Sequence, residues 1–212
     1  MSGIRIAVLI SGGGSNLQAL IDEIARGNIC GQIDIVISNR AEAYGLERAS
    51  RHGIENKSML ARDYGTAKER DLALLALLKE RKIDLVVLAG YLAILPDIII
   101  EEFRNKIINI HPSLIPSFAG DGFYGERVHR AALERGVKLS GATVHFVDEV
   151  TDGGPIILQR AVNVDFHDDV ESLQKKILNI EHEILPLAVR LFAEGRVEVI
   201  GNRVKIYEKE VK

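Results

Sequence analysis

A chain of 212 residues fits one globular domain and is long enough to bury a full core. Its 47% apolar and 27% charged residues are those of an ordinary folded protein, and a net charge of -3 gives no basis for nucleic acid or an anionic membrane as partner. One cysteine, Cys30, excludes an internal disulfide; with no leader pattern before Ile4 and no apolar run of membrane-spanning length, a cytoplasmic location is expected.

Ile4 to Ile10 is a near-continuous apolar run, which predicts a buried strand. It stops at Ser11-Gly12-Gly13-Gly14-Ser15-Asn16, and Leu17, Leu20, Ile21 and Ile24 then recur at helical spacing up to Gly27. A second strand is expected over Ile33 to Ile37, a short helix over Ala43 to His52 with Leu46 and Ala49 inward, and a third strand around Asn56 to Leu60. Thr66 to Lys82 predicts a surface helix that turns Leu72, Leu75 and Leu78 inward. Leu85 to Ala89 reads as a strand buried on both faces, closed by Gly90, and Ile98 to Phe103 as a short helix. Ile107 to His111 is the next strand, ended by Pro112, which cannot donate to a ladder.

Beyond His111 the pattern changes. A glycine-rich loop, Ser117 to Gly125, precedes a helix over Arg127 to Glu134. Gly141 to Val147 alternates, and the turn Asp152-Gly153-Gly154-Pro155 leads into Ile156 to Val164, so this pair is expected to be antiparallel. Asp168 and Asp169 open a long helix that Pro186 should bend, and Val197 to Tyr207 forms a hairpin through Gly201-Asn202. The fold class is therefore α/β: a doubly wound, Rossmann-like, mostly parallel sheet with antiparallel strands in the C-terminal half. No repeat or linker interrupts it, so residues 1–212 are expected to be a single domain.

Two places carry chemistry. The turn through Gly13, Gly14, Ser15 and Asn16 joins a strand to a helix N-terminus, where free N–H groups and the helix dipole suit an anion. It is not a dinucleotide fingerprint, because Leu17 stands at the third glycine position and Ser38-Asn39-Arg40 lacks the ribose-binding acid. Nor is it a triphosphate loop, since no Gly-Lys-Ser/Thr follows. A single phosphate fits; so does a plain turn with a helix cap. At the second place, Asn109 and His111 lie two apart on one strand and share a face. Both can donate to a developing oxyanion, and a nearby carboxylate, with Asp152 the best candidate, would raise the imidazole's pKa above its usual value of about 6.5. A capping Asn and a hydrogen-bonded core His would leave the same trace. Thr143 and His145 share a face and are candidates to support the same site; a polar strand face that is simply wet would read the same. The six histidines show no metal-ligand spacing, so no metal is expected.

Taken together, Ser11 to Asn16, Val36 to Arg40, Leu88 to Tyr91, Asn109 to Leu114, Gly141 to Val147 and Asp152 to Gln159 resemble, in order, the glycinamide ribonucleotide formyltransferases of purine biosynthesis. Asn-x-His with a later Asp is common to folate-dependent formyl transferases; the glycine loop and the short chain point to this member. The resemblance implies transfer of the formyl group of 10-formyltetrahydrofolate to the amine of glycinamide ribonucleotide. It makes Asn109, His111 and Asp152 catalytic, and gives the ribonucleotide to Gly13, Gly14, Ser15, Asn16 and Glu181. The folate pterin falls to Leu92, Ala93, Ile94, Leu95, Asp148, Glu149, Val150 and Thr151. The N-terminal half would thus bind ribonucleotide and the C-terminal half folate, with catalysis in the latter. Many members carry Arg where this chain has Ala93, and another near Ala67; either neighbours such as Arg62 or Lys68 meet the folate tail instead, or folate affinity differs. The loop from Ser117 to Val128 is longer than the common version and leads to His129, which aligns with a substrate-site His. The alternatives are a 10-formyltetrahydrofolate hydrolase, which carries an extra N-terminal domain for which Ile4 leaves no room, and a nucleotide-binding Rossmann-like module without catalysis, which has no use for Asn109, His111 and Asp152 together.

Overall fold

The computed structural model describes residues 3–208. They fall into two compact units, one ending at Ile108 and the other starting at Asn109.

The first unit runs β1 (Ile4–Ile10), α1 (Ser15–Ala25), β2 (Gly31–Ser38), α2 (Tyr44–Arg51), β3 (Asn56–Ser58), α3 (Ala67–Glu80), β4 (Leu85–Leu88) and α4 (Asp97–Glu102). Its strands are ordered β3-β2-β1-β4. Every pairing among them is parallel. Ile6 to Ile10 and Leu85 to Val87 are wholly inaccessible. That is why they read as unbroken apolar runs rather than alternating ones: strands covered on both faces have no polar side. The order 3-2-1-4 reverses direction between β1 and β4, and in such sheets ligands gather at the carboxyl ends of the strands flanking the reversal. Those two ends here are Ser11 and the segment that starts at Ala89.

Thr66 caps α3 through a reciprocal box with Glu69, satisfying two otherwise open N–H groups. The helix buries Leu74 and Leu78, whereas Leu72 is 48% exposed. The predicted face was turned too far at its N-terminal end. With leucines at 72, 74, 75, 77 and 78, the apolar stripe is wide enough to support more than one rotation.

The second unit opens with the last residues of β5 (Ile107–His111) and continues through α5 (Glu126–Arg135), β6 (Leu139–Phe146), β7 (Ile156–Asn163), α6 (Val170–Ala193), β8 (Val197–Ile200) and β9 (Arg203–Ile206), with strand order β5-β6-β7-β9-β8. β6 and β7 are antiparallel, as expected, and so are β8 and β9. The β6–β7 register slips between Val144 and His145, leaving Ile157 as the extra residue. Bulges of this kind re-aim the neighbouring side chain, here His145. α6 is capped by Asp169 with Ser172 and continues through Pro186 without a break in its assignment. Leu173, Ile177, Ile184 and Leu185 supply its buried stripe. The sheet is therefore mostly parallel, with antiparallel strands confined to the C-terminal half of an α/β fold.

Candidate active site

β5 and β6 bring the polar groups of the second unit together. Asn109 and His111 project from β5 two residues apart, His145 lies at the end of β6, and Asp152 sits in the turn after it. Asp152 has φ 54, a left-handed conformation that a non-glycine residue adopts at a cost, often at a functional turn. The turn is held in place by Gly154, where an added Cβ would lie 1.9 Å from the Phe146 carbonyl oxygen. The side chain of Asp152 faces two imidazoles at once: Oδ2 is 3.4 Å from His111 Nδ1, and Oδ1 is 3.6 Å from His145 Nε2. Asn109 Nδ2 lies 3.1 Å from His145 Nε2. His145 Nδ1 donates to the Phe146 carbonyl at 2.9 Å, which leaves Nε2 as the acceptor for Asn109.

The loop after β5 completes the cluster through its main chain. Phe118, itself at φ 52, places its carbonyl 2.9 Å from His111 Nε2. Two residues on, the Gly120 N–H donates to Asp152 Oδ2 at 3.0 Å. A distance of 2.9 Å is a hydrogen bond and 3.4 Å is not, so the imidazole proton belongs on Nε2. A main-chain carbonyl thus occupies the Nε2–H of His111.

Burial pushes His111 below its ordinary pKa, with His145 adding to the effect, and Asp152 and the Phe118 carbonyl only partly oppose it. This reverses the upward shift expected from a neighbouring carboxylate: His111 is 4% exposed, and desolvation outweighs the carboxylate. Burial pushes the Asp152 carboxyl up, yet the neighbouring His145 and His111 rings and the bond from the Gly120 N–H together hold it below its ordinary value. The pair stands as a carboxylate beside a neutral imidazole.

Thr143 is fully buried, and its hydroxyl serves the chain just past His111. It donates to the Ser113 carbonyl at 2.6 Å and accepts from the Ile115 N–H at 3.1 Å. Its part is to fix the exit of β5. His129, on α5, is 2% exposed, and its Nδ1 has no hydrogen-bond partner among the described residues. Burial lowers its pKa, Glu126 opposes, and His111 adds to the lowering. Glu181 is buried midway along α6. Glu149, Val150 and Thr151 are exposed on the turn ahead of Asp152, and the side chain of Asp148 accepts from the Val150 N–H.

In the first unit the glycine turn follows β1, and Gly14, at φ 71, is the N-cap of α1. Ser11 ties this turn to the end of β4. Its N–H donates to the Gly90 carbonyl at 3.0 Å, and its hydroxyl accepts from the Leu92 N–H at 2.8 Å while donating to Asn39. Gly13 to Asn16 and Leu92 to Leu95 therefore lie at the two strand ends that flank the reversal of the sheet. Leu92 and Ile94 are exposed; Leu95 is buried. Sequence reasoning missed Gly45 and Arg48 of α2, which contact this turn, and the main-chain groups of Phe118 and Gly120. Among the described residues no group of three or more His, Cys, Asp or Glu could hold a metal, and no helix is long and apolar enough to cross a membrane.

Comparison with known proteins places this geometry. The human trifunctional purine biosynthetic protein adenosine-3 is 46% identical over 206 residues, which are 97% of this chain and 20% of the human protein. The chain thus spans about a fifth of that relative's length. The phosphoribosylglycinamide formyltransferase of Haemophilus influenzae is 42% identical over 198 residues, 93% of this chain and 91% of that one. The crystal structure of glycinamide ribonucleotide transformylase 1 from Symbiobacterium toebii superposes with a TM-score of 0.92 at 49% identity, covering 98% of this chain and 95% of that one. Residues 4–189 match the formyl transferase family model, and the chain belongs to the formyl transferase family.

Proposed function

We propose that the chain transfers the formyl group of 10-formyltetrahydrofolate to the amine of glycinamide ribonucleotide, giving formylglycinamide ribonucleotide and tetrahydrofolate in purine biosynthesis. The observation that carries this reading is the convergence of the buried His111 and His145 with the half-buried Asn109 and Asp152 in one cluster of a formyl transferase.

The amine attacks the formyl carbon and the carbonyl pair moves onto oxygen; when that pair returns, the C–N10 bond breaks as N10 takes up the proton lost by the amine nitrogen. The intermediate is a tetrahedral oxyanion. One N–H of the Asn109 amide is given to His145, and the other is left for that oxygen. The formyl oxygen replaces the Phe118 carbonyl on His111 Nε2. Negative charge growing there favours the imidazolium, whose second proton comes from the attacking amine by way of Asp152 on the other side of the ring. Asp152, held ionised, accepts the proton that the attacking nitrogen loses, directly or through a water.

The ribonucleotide's phosphate is assigned to Gly13, Gly14, Ser15 and Asn16, and its ribose hydroxyls to Glu181. The pterin is assigned to Leu92, Ala93, Ile94, Leu95, Asp148, Glu149, Val150 and Thr151. Arg62 and Lys68, both exposed, supply cations for the acidic folate tail. No metal takes part in this scheme, and the expected compartment is the cytoplasm.

The test is acceptor dependence. Purified protein should convert 10-formyltetrahydrofolate to tetrahydrofolate only when glycinamide ribonucleotide is present. Turnover at a comparable rate with the folate alone would instead make the chain a hydrolase.

A further inference from the structure

Arg48 and Gly45, on α2, hold the carbonyl side of the glycine turn. The Gly45 N–H donates to the Gly12 carbonyl at 3.0 Å, and Arg48 Nε donates to the Gly13 carbonyl at 2.8 Å. Nothing larger than glycine fits at the contact, since a Cβ on Gly14 would lie 2.7 Å from the Gly45 Cα. The guanidinium is itself fixed: Nη1 lies 3.3 Å from Gln18 Oε1, and the group stacks 4.9 Å over the Tyr44 ring. In a planar trans peptide the C=O and the following N–H point in opposite directions. Pinning the carbonyls of Gly12 and Gly13 toward α2 therefore turns the N–H groups of Gly13 and Gly14 the other way. Neither N–H donates to another described group. The oxygens that would repel an anion are engaged, and the donors that would attract one are presented together.

We infer that Arg48 is a positioning residue for phosphate recognition: its bond to the Gly13 carbonyl sets the orientation of the turn's N–H groups, and it does not touch the ligand. The inference rests on the assignment of this turn to the ribonucleotide's phosphate.

The experiment compares wild type with Arg48→Met, Arg48→Gln and Arg48→Lys. The KM for glycinamide ribonucleotide, the KM for 10-formyltetrahydrofolate and inhibition by inorganic phosphate are measured, and thermal unfolding confirms the fold. Arg48→Met should raise the ribonucleotide KM and the phosphate inhibition constant about tenfold, the scale of one lost charge-assisted hydrogen bond, with a much smaller change in the folate KM. Arg48→Gln keeps a donor without the charge and should recover most of the loss. An unchanged phosphate inhibition constant in a folded Arg48→Met variant would overturn the inference. So would full rescue by Lys but none by Gln, because charge alone would then be at work. If phosphate fails to compete with the ribonucleotide in the wild type, the assignment of the turn itself fails, and the inference falls with it. If acceptor-dependent turnover is absent while phosphate still binds and weakens in Arg48→Met, the proposed reaction fails and the positioning role stands.

Discussion

His111 is under two opposed influences. Its depth in the protein disfavours the imidazolium, and the carboxylate of Asp152 favours it; in the free protein depth wins. In the proposed reaction an oxyanion arriving at Nε2 would tip that balance. His111→Ala should lower kcat by roughly a hundredfold or more, the usual scale for a positioned acid–base group, with circular dichroism showing an unchanged fold. Undiminished turnover would remove this side chain from the reaction. Asn109 and His111 could be paired from the sequence because strand periodicity fixes which side chains share a face. Asp152 could be suggested from its Asp-Gly-Gly turn. The direction of the imidazole's shift could not be read, because it depends on how completely the chain beyond Pro112 covers the ring. Phe118 and Gly120 left no trace either: they act through main-chain atoms, which every residue possesses.

Among the elements, the parallel strands were the most legible. β1 and β4 are enclosed on both faces, and enclosure writes itself as an uninterrupted apolar run. Helix orientation was less so, as Leu72 of α3 shows. The contact of α2 with the glycine turn was hidden because it joins Gly45 to Gly12, and Arg48 to Gly13, across more than thirty positions of chain. The turn between β6 and β7 is where architecture and chemistry depend on one residue. Gly154→Ala would press a methyl group against the Phe146 carbonyl, so the turn must shift. We expect a loss of about 1–3 kcal/mol in urea unfolding, the range for forced overpacking, together with a fall in kcat as Asp152 leaves the two imidazoles. A stable variant with full activity would show that the turn relaxes without moving the carboxylate.

Acid should weaken the entire protein in a defined window. His111 and His129 have folded-state pKa values below their ordinary value near 6.5, so on acidification the unfolded chain takes up protons that the folded one refuses. Stability from these two groups is complete above that pH and falls as pH drops through it. The slope is at most about 1.4 kcal/mol per pH unit for each histidine. Asp152, held below its ordinary value, contributes stability above that value, lost only as pH falls through its lower folded-state pKa. Urea midpoints measured from pH 7.5 to pH 5 should decline in the wild type and decline less in His129→Gln. Equal slopes in the two proteins would count against a buried, neutral His129.

On the proposed mechanism the carbonyl of Phe118 competes with the formyl oxygen for the same N–H of His111. A formyl donor bound as proposed would first have to evict it, and its measured affinity would be the intrinsic one scaled by the fraction of molecules already vacated. A docked loop favoured by only about 1.4 kcal/mol would make the formyl donor bind roughly tenfold more weakly than its contacts alone allow. The same contact keeps Nε2 of the imidazole from bulk water.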